Sequence, residues 1–221
     1  MSSITRARPA GIDNTYYLTA GEEELLATRT TFKQDDATEF EGTYYRPWSP
    51  VTSKLSSMLI KGMKIPLGRS SRVLYLGAAS GTTVTHVSDI VSDGVVFAVE
   101  FAARPARDLL TAIEPRTNVI PIIADARYPE KYPPFIDRVD FIYQDVAQPD
   151  QASIAMANAE KYLSKGGHVV VAIKARSISI TEDTETIFRR EVDTLSRKFE
   201  VLQTVSLEPL HKDHLAVLCR Y

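Results

Sequence analysis

Val73-Leu74-Tyr75-Leu76-Gly77-Ala78-Ala79-Ser80-Gly81-Thr82-Thr83-Val84-Thr85-His86 is the stretch from which the fold is read. It opens as a short apolar run with β-branched and aromatic members, the composition of a buried strand. Small residues break it between Gly77 and Gly81, and Val84, Val87, Ile90 and Val91 then return at helical spacing. A strand, a tight turn and a helix start form the ligand-binding mouth of an open α/β sheet, because backbone N–H groups point outward there. Gly77 and Gly81 let the main chain approach a ligand with no Cβ in the way.

The dinucleotide fingerprint G-x-G-x-x-G is not met, since Ala79 stands where its second glycine belongs. Gly77-x-x-x-Gly81 fits adenosine-containing cofactors more loosely. A plain strand-to-helix turn of any α/β protein is the alternative.

Working outward, the chain of 221 residues suffices for one core of ordinary size plus a small appendage. Apolar residues at 44% and charged residues at 24% match a soluble globular protein. No run is long enough to span a bilayer and no apolar signal-peptide core opens the chain, so the expectation is a cytoplasmic protein without membrane attachment. The single cysteine, Cys219, excludes an internal disulfide and reads as an inert core thiol. Four histidines without a Cys/His cluster give no reason to expect a metal. A net charge of −2 argues against a strong unaided grip on nucleic acid. An acidic block (Glu22, Glu23, Glu24, Asp35, Asp36, Glu39, Glu41) suits solvent or a protein partner better than phosphate.

Residues 1–50 read as a small, mostly β N-terminal subdomain and 51–221 as the main α/β domain. Within the first, 1–14 is a mobile start or an edge, and short β-like runs cover 16–19 and 25–30. Arg46-Pro47-Trp48-Ser49-Pro50 is a stiff connector to a Ser/Thr-rich helical pattern over 51–63. Strands are then expected near 73–76, 95–100, 118–124, 138–143 and 168–174, and helices near 82–91, 104–113, 149–163 and 182–198. Two last strands, over 199–207 and 215–218, are joined by about six residues, too few for a parallel crossover, so they are antiparallel neighbours. The result is an α/β, Rossmann-like seven-stranded sheet with an antiparallel last strand. That is the layout of class I S-adenosylmethionine-dependent methyltransferases rather than of an all-parallel dehydrogenase sheet.

In such a sheet the functional positions sit at the carboxyl ends of the strands, here Gly77, Glu100, Asp125, Asp145 and Lys174. Glu100, 23 residues after Gly77, is placed to accept both ribose hydroxyls of an adenosine, or else simply ends a strand at the surface. Asp125 and Ala126 are candidates for the adenine amino group. Asp145 and Lys174 each follow an apolar run, where an unpaired charge is expensive; they pair with each other, as a structural ion pair, or with a substrate. Lys54 and His214 carry no such independent signal.

Several blocks resemble fibrillarin: residues 74–91, Val99-Glu100-Phe101, 116–127, Asp145-Val146-Ala147-Gln148-Pro149-Asp150-Gln151-Ala152, Gly166-Gly167-His168 and Ile173-Lys174-Ala175. The likeness runs from about residue 46 to 221, and without a Gly/Arg-rich N-terminal stretch it is to the archaeal form. It implies an S-adenosylmethionine-dependent ribose 2′-O-methyltransferase acting on ribosomal and transfer RNA. The implied setting is a box C/D guide ribonucleoprotein, with a Nop-type scaffold protein, an RNA-binding protein of the ribosomal L7 type, guide RNA and target RNA. The family's cofactor contacts fall on Thr82, Thr83, Glu100, Phe101, Asp125, Ala126, Asp145 and Gln148, beside the Gly77 turn. Its catalytic Lys-Asp-Lys-His set falls on Lys54, Asp145, Lys174 and His214. The family's Glu-Arg-Asp-His reads His211-Lys212-Asp213-His214 here.

On that resemblance Lys174 is nearest the 2′-hydroxyl, as base or as a cation for the forming alkoxide. Asp145 orients the lysine and the methionine end of the cofactor, and His214 holds the ribose or a phosphate. A methyltransferase for small molecules or protein side chains, a non-catalytic assembly module and a nicotinamide oxidoreductase are the competing readings.

Overall fold

A strand order that interleaves distant parts of the chain gives the molecule its site. The computed structural model describes residues 4–31 and 36–221; Asp35 of the acidic block lies outside them. Strands β1 (Ile4–Pro9), β2 (Thr15–Ala20), β3 (Glu23–Thr30), β4 (Thr38–Phe40) and β5 (Thr43–Pro47) form an antiparallel sheet of order β1-β2-β3-β5-β4. Ile4–Pro9 is therefore an edge strand.

The remaining elements are α1 (Lys54–Ile60), β6 (Arg72–Leu76), α2 (Thr82–Ile90), β7 (Val95–Glu100), α3 (Ala103–Ile113), β8 (Val119–Ile123) and β9 (Val139–Gln144). After them come α4 (Gln151–Tyr162), β10 (Leu163–Lys174), the one-turn α5 (Ala175–Ile178), α6 (Thr184–Ser196), β11 (Glu200–Ser206) and β12 (His214–Arg220). The seven-stranded sheet runs β11-β12-β10-β9-β6-β7-β8, and β12 alone runs against the direction of the other six strands. Helices cover both faces of β6, β7, β9 and β10. These strands therefore read as continuous apolar runs, and Val73, Leu74, Leu76 and Val169 to Ile173 are at most 1% exposed.

The fifth main-domain strand begins earlier than its apolar run. Leu163 already pairs with Val139, and a register shift before His168 absorbs the intervening residues. Gly166, at φ 77°, makes the irregular step that a side chain would resist.

The two sheets share one interior. Leu26 and Trp48 from the N-terminal region pack in the same cluster as Leu55, Met58, Val73, Val84 and Val87. A polar knot reinforces the joint. Asp89 on α2 accepts from Arg46 Nη1 and Arg116 Nη1, both at 2.8 Å, and from Thr28 Oγ1 at 2.9 Å. Thr28 spends its only proton on Asp89, so at 2.8 Å it accepts from His86, whose Nδ1 carries the hydrogen. Trp48 stacks on that imidazole at 4.9 Å. Packing so tight fixes the Trp48–Ser53 connector, and with it the start of α1, against the large sheet.

Candidate active site

Three loops at the carboxyl edge of the sheet are laced together by main chain. Gly77 and Ala78 N–H groups both donate to the Val99 carbonyl at 3.0 Å, and Asp145 N–H donates to the Leu76 carbonyl at 2.9 Å. Gly77 has φ 80°, and a Cβ there would overlap the Asp145 carbonyl, so this close approach requires glycine. Glu100 stitches the first two loops. Its Oε2 accepts from Ala79 N–H at 2.9 Å, and its Oε1 accepts from Phe101 N–H at 3.0 Å and Ala102 N–H at 2.8 Å. A carboxylate offers about four acceptor positions, so one lone pair remains for a ligand hydroxyl.

Between these loops lies a cleft of about 330 Å³ lined by Gly77, Ala79, Glu100, Phe101, Ala126, Asp145 and Gln148, with Val99, Ala124, Val146 and Ala147 completing the wall. The volume lies within the ~300–1,000 Å³ of small-ligand clefts. Its composition suits an adenosyl group with a charged tail: small apolar walls, an exposed Phe101 ring, and carboxylates at two separate points. Gln148 Oε1 is buried there with no hydrogen-bond partner, an acceptor that an amino group would satisfy.

Of the residues singled out for cofactor contact, Gly77, Glu100, Phe101, Ala126, Asp145 and Gln148 line the cleft; Thr82, Thr83 and Asp125 do not. Thr82 borders a depression with Arg46, Ser80 and Thr85. Thr83 Oγ1 donates to Ser53 Oγ at 3.0 Å. Asp125 is held by Arg127, with Nη2 at 2.6 Å and Nε at 3.0 Å from Oδ2, which lowers its carboxyl pKa. Sequence alone missed Ala79, Val99, Ala124, Val146 and Ala147, which contribute shape and carry no chemical signature.

Beside the cleft, four separate segments converge. Lys54 is the first residue of α1, whose N-cap Ser53 accepts from Ser56 N–H at 3.4 Å. Its Nζ lies 2.7 Å from Asp145 Oδ2. Lys174 ends β10 directly opposite His214, which begins β12. Facing residues of an antiparallel pair put their side chains on one face. Asp145 thus belongs both to the cleft and to a cluster of two lysines and a histidine.

The imidazole of His214 has a defined tautomer. Its Nδ1 lies 2.6 Å from the Lys212 carbonyl, which can only accept, so Nδ1 carries the hydrogen. Burial lowers the His214 pKa and the Lys54 charge adds to this, while the Lys212 carbonyl and Asp145 oppose it. The ring is therefore neutral near pH 7, and Nε2 is a buried lone pair with no partner. A phosphate, which also only accepts, cannot satisfy that atom; a hydroxyl can.

Below the cluster, burial raises the Tyr143 and Tyr75 hydroxyl pKa values far above their usual range, and the nearby Asp145 charge pushes both further. Both phenols stay neutral. Among the described residues no group of acidic, histidine or cysteine side chains could hold a metal ion.

The fibrillarin family model matches residues 8–221. This chain belongs to the fibrillarin family. A relative from Methanosarcina acetivorans, named fibrillarin-like rRNA/tRNA 2′-O-methyltransferase, is 50% identical over 184 residues, covering 81% of each chain. Aeropyrum pernix fibrillarin, solved with natively bound S-adenosyl-L-methionine, superposes with a TM-score of 0.89 at 38% identity, over 99% of this chain and 100% of that one. Fibrillarin from a fibrillarin/Nop5p complex superposes with a TM-score of 0.84 at 38% identity, over 95% and 99%. The seven-stranded sheet with β12 reversed is thus the fibrillarin form of the class I methyltransferase fold.

Proposed function

We propose that this protein methylates ribose 2′-hydroxyls of ribosomal and transfer RNA, using S-adenosylmethionine, as the catalytic subunit of a box C/D guide ribonucleoprotein. The observation that carries the reading is the convergence of Lys54, Asp145, Lys174 and His214 beside a cleft built for an adenosyl cofactor. Family membership and the cofactor-bound A. pernix relative support the same conclusion.

When bound, S-adenosylmethionine supplies a methyl group on a sulfonium, so neither a metal nor a covalent enzyme intermediate is required. Glu100 and Gln148 would hold its polar ends and Gly77 and Ala79 would shape the wall between them, while Thr82, Thr83 and Asp125, outside that lining, would add any contact only from beyond it. Asp145, on the shared wall, keeps Lys54 in place. His214 Nε2 accepts the hydrogen bond of the attacking 2′-hydroxyl and so aims its other lone pair. Lys174 stands at the same hydroxyl. As the bond from O2′ to the methyl carbon forms and the bond from that carbon to sulfur breaks, the hydroxyl proton passes to His214 Nε2. The positive charge of Lys174 offsets the negative charge that develops on O2′. Holding the nucleophile in line supplies several kcal/mol by itself, up to about 7–11 in well-oriented cases.

With a formal charge of −2 the chain contributes little grip on RNA. A Nop-type scaffold docks it, as fibrillarin is docked in the Nop5p complex, and an L7-type protein organises the guide RNA. Base pairing with the guide then chooses the nucleotide. The test is methyl transfer from labelled cofactor to guide-paired RNA, with a 2′-deoxy target as control. Lys174→Ala is expected to bind cofactor nearly as well as wild type and to lose orders of magnitude in transfer. Equal labelling of the 2′-deoxy target would refute the ribose assignment.

A further inference from the structure

Gln151 is the first residue of α4, it is fully buried, and its amide is spent on the backbone of a single residue. Oε1 accepts from Lys174 N–H at 2.9 Å and Nε2 donates to the Lys174 carbonyl at 3.2 Å. One side-chain amide thus does for Lys174 what a neighbouring strand does elsewhere in the sheet. It has to, because the ladder from β10 to β9 ends with Val171 opposite Gln144, three residues short of Lys174. Without Gln151 both backbone groups of Lys174 would lack partners on that side.

The bracket also explains the pairing across the other edge. Both main-chain groups of Lys174 point toward Gln151, so its pairing with His214 is of the non-hydrogen-bonded kind, whose Cα atoms lie closer, at about 4.5 Å. The next rung, Ala175 N–H to the Asp213 carbonyl at 3.1 Å, points toward β12 as the alternation demands.

Gln151 is held in its turn. Its own carbonyl accepts from Gln144 Nε2 at 2.7 Å, and Gln144 immediately precedes Asp145. The following N–H, of Ala152, donates to Glu191 Oε2 at 3.0 Å. Gln144 and Gln151 are both 0% exposed, so each of these hydrogen bonds offsets part of the cost of burying an amide.

We infer that Gln151 is a positioning residue for methyl transfer: its amide sets where the Lys174 side chain leaves the strand, and through Gln144 it registers Lys174 against Asp145. This rests on the assignment of Lys174 to the transfer step. A shift of about 1 Å at that point is enough to cost about 10²-fold in rate. Gln144, Gln151 and Lys174 do not themselves line the cofactor cleft, and the bonds from Gln151 to Lys174 lie on the side of the cluster, so the larger effect is expected on transfer and the smaller on cofactor binding.

The experiment measures single-turnover methyl transfer in the reconstituted guide ribonucleoprotein, at saturating cofactor and guide-paired RNA. Wild type, Gln151→Leu, Lys174→Met and a core truncation outside the site, Leu195→Ala, are compared below their melting temperatures. The expected result for Gln151→Leu is a loss of roughly 10–100-fold in rate, with KM for RNA and the cofactor Kd within about threefold of wild type. Leu195→Ala, destabilised but with the bracket intact, should keep its rate. Should Gln151→Leu not fold, Gln151→Met, unbranched and of similar length, offers Lys174 N–H no strong acceptor and its carbonyl no proton, and carries the same expectation. A full rate in the folded Gln151 variant beside an inactive Lys174→Met overturns this inference alone. A full rate in Lys174→Met overturns the reading of the site and this inference with it.

Discussion

Lys54 Nζ and Asp145 Oδ2 lie 2.7 Å apart although 91 residues of chain separate them. The two side chains are 22% and 24% exposed, so the pair is within reach of solvent and of a docking substrate. It is a contact between the first turn of α1 and the loop after β9, and the connector anchored by Trp48 makes it possible.

Lys54→Met removes the charge that faces Asp145 and leaves the cleft wall in place. The expected outcome is a fall of about 10²–10³-fold in single-turnover methyl transfer, the usual cost of losing one preorganised charge or donor at a reacting centre. Binding of S-adenosylmethionine by calorimetry should change little. An unchanged rate would remove Lys54 from the reacting set.

Glu100→Gln keeps the shape of the side chain and replaces one acceptor oxygen with an NH₂ facing backbone N–H donors. Hydrogen bonds to a charged group contribute about 1.5–3 kcal/mol, so cofactor affinity should weaken by roughly 10–100-fold. Calorimetric titration with S-adenosylmethionine checks this, and an unaltered Kd would mean that Glu100 only braces the turns.

Asp89→Asn leaves Arg46 and Arg116, 5% and 4% exposed, facing a neutral amide in a buried knot. Breaking a buried charge network by removing one partner costs on the order of 3–5 kcal/mol. Urea unfolding should show a lower midpoint at an unchanged slope. The knot joins the small sheet to α2, so proteolysis of the N-terminal region should accelerate in parallel.

Burial lowers the His86 pKa well below its usual 6.5, and the charges of Arg46 and Arg116 push it the same way. Below about pH 6.5 the unfolded chain therefore binds a proton that the native ring refuses, and stability falls as pH falls through that window. Above it the contribution is fully present. Thermal melts from pH 7.5 to 5 should fall more steeply for the wild type than for His86→Asn, which keeps an N–H for Thr28 and does not titrate. Parallel curves would show that the imidazole is protonated in the folded state. His168 and His214, also lowered by burial, act in both proteins and cancel in the comparison.

Burial raises the Cys219 thiol to about pKa 12. A thiol reagent at neutral pH should react with the native protein only at the rate of unfolding, and at once in denaturant. Prompt modification of the native state would place Cys219 at an opening rather than in the β12 core.

Much of the architecture follows from local pattern. Continuous apolar runs announce strands buried on both faces, the Gly77 to Gly81 break announces the cofactor turn, and Glu100, Asp145 and Lys174 stand where those runs stop. Burial and periodicity are properties of one element and can be read from one segment. The short link before β12 likewise dictates its reversed direction. Tertiary structure decided what no segment contains. The order β11-β12-β10-β9-β6-β7-β8 brings His214 opposite Lys174, and the shared core carries Lys54 to Asp145. The same packing left the buried amide of Gln151 to finish a strand edge that β9 abandons, and the Lys212 carbonyl to choose the tautomer of His214. Those are pairings between groups far apart in the chain. Their energies depend on distance and burial, and neither exists until the sheet has closed.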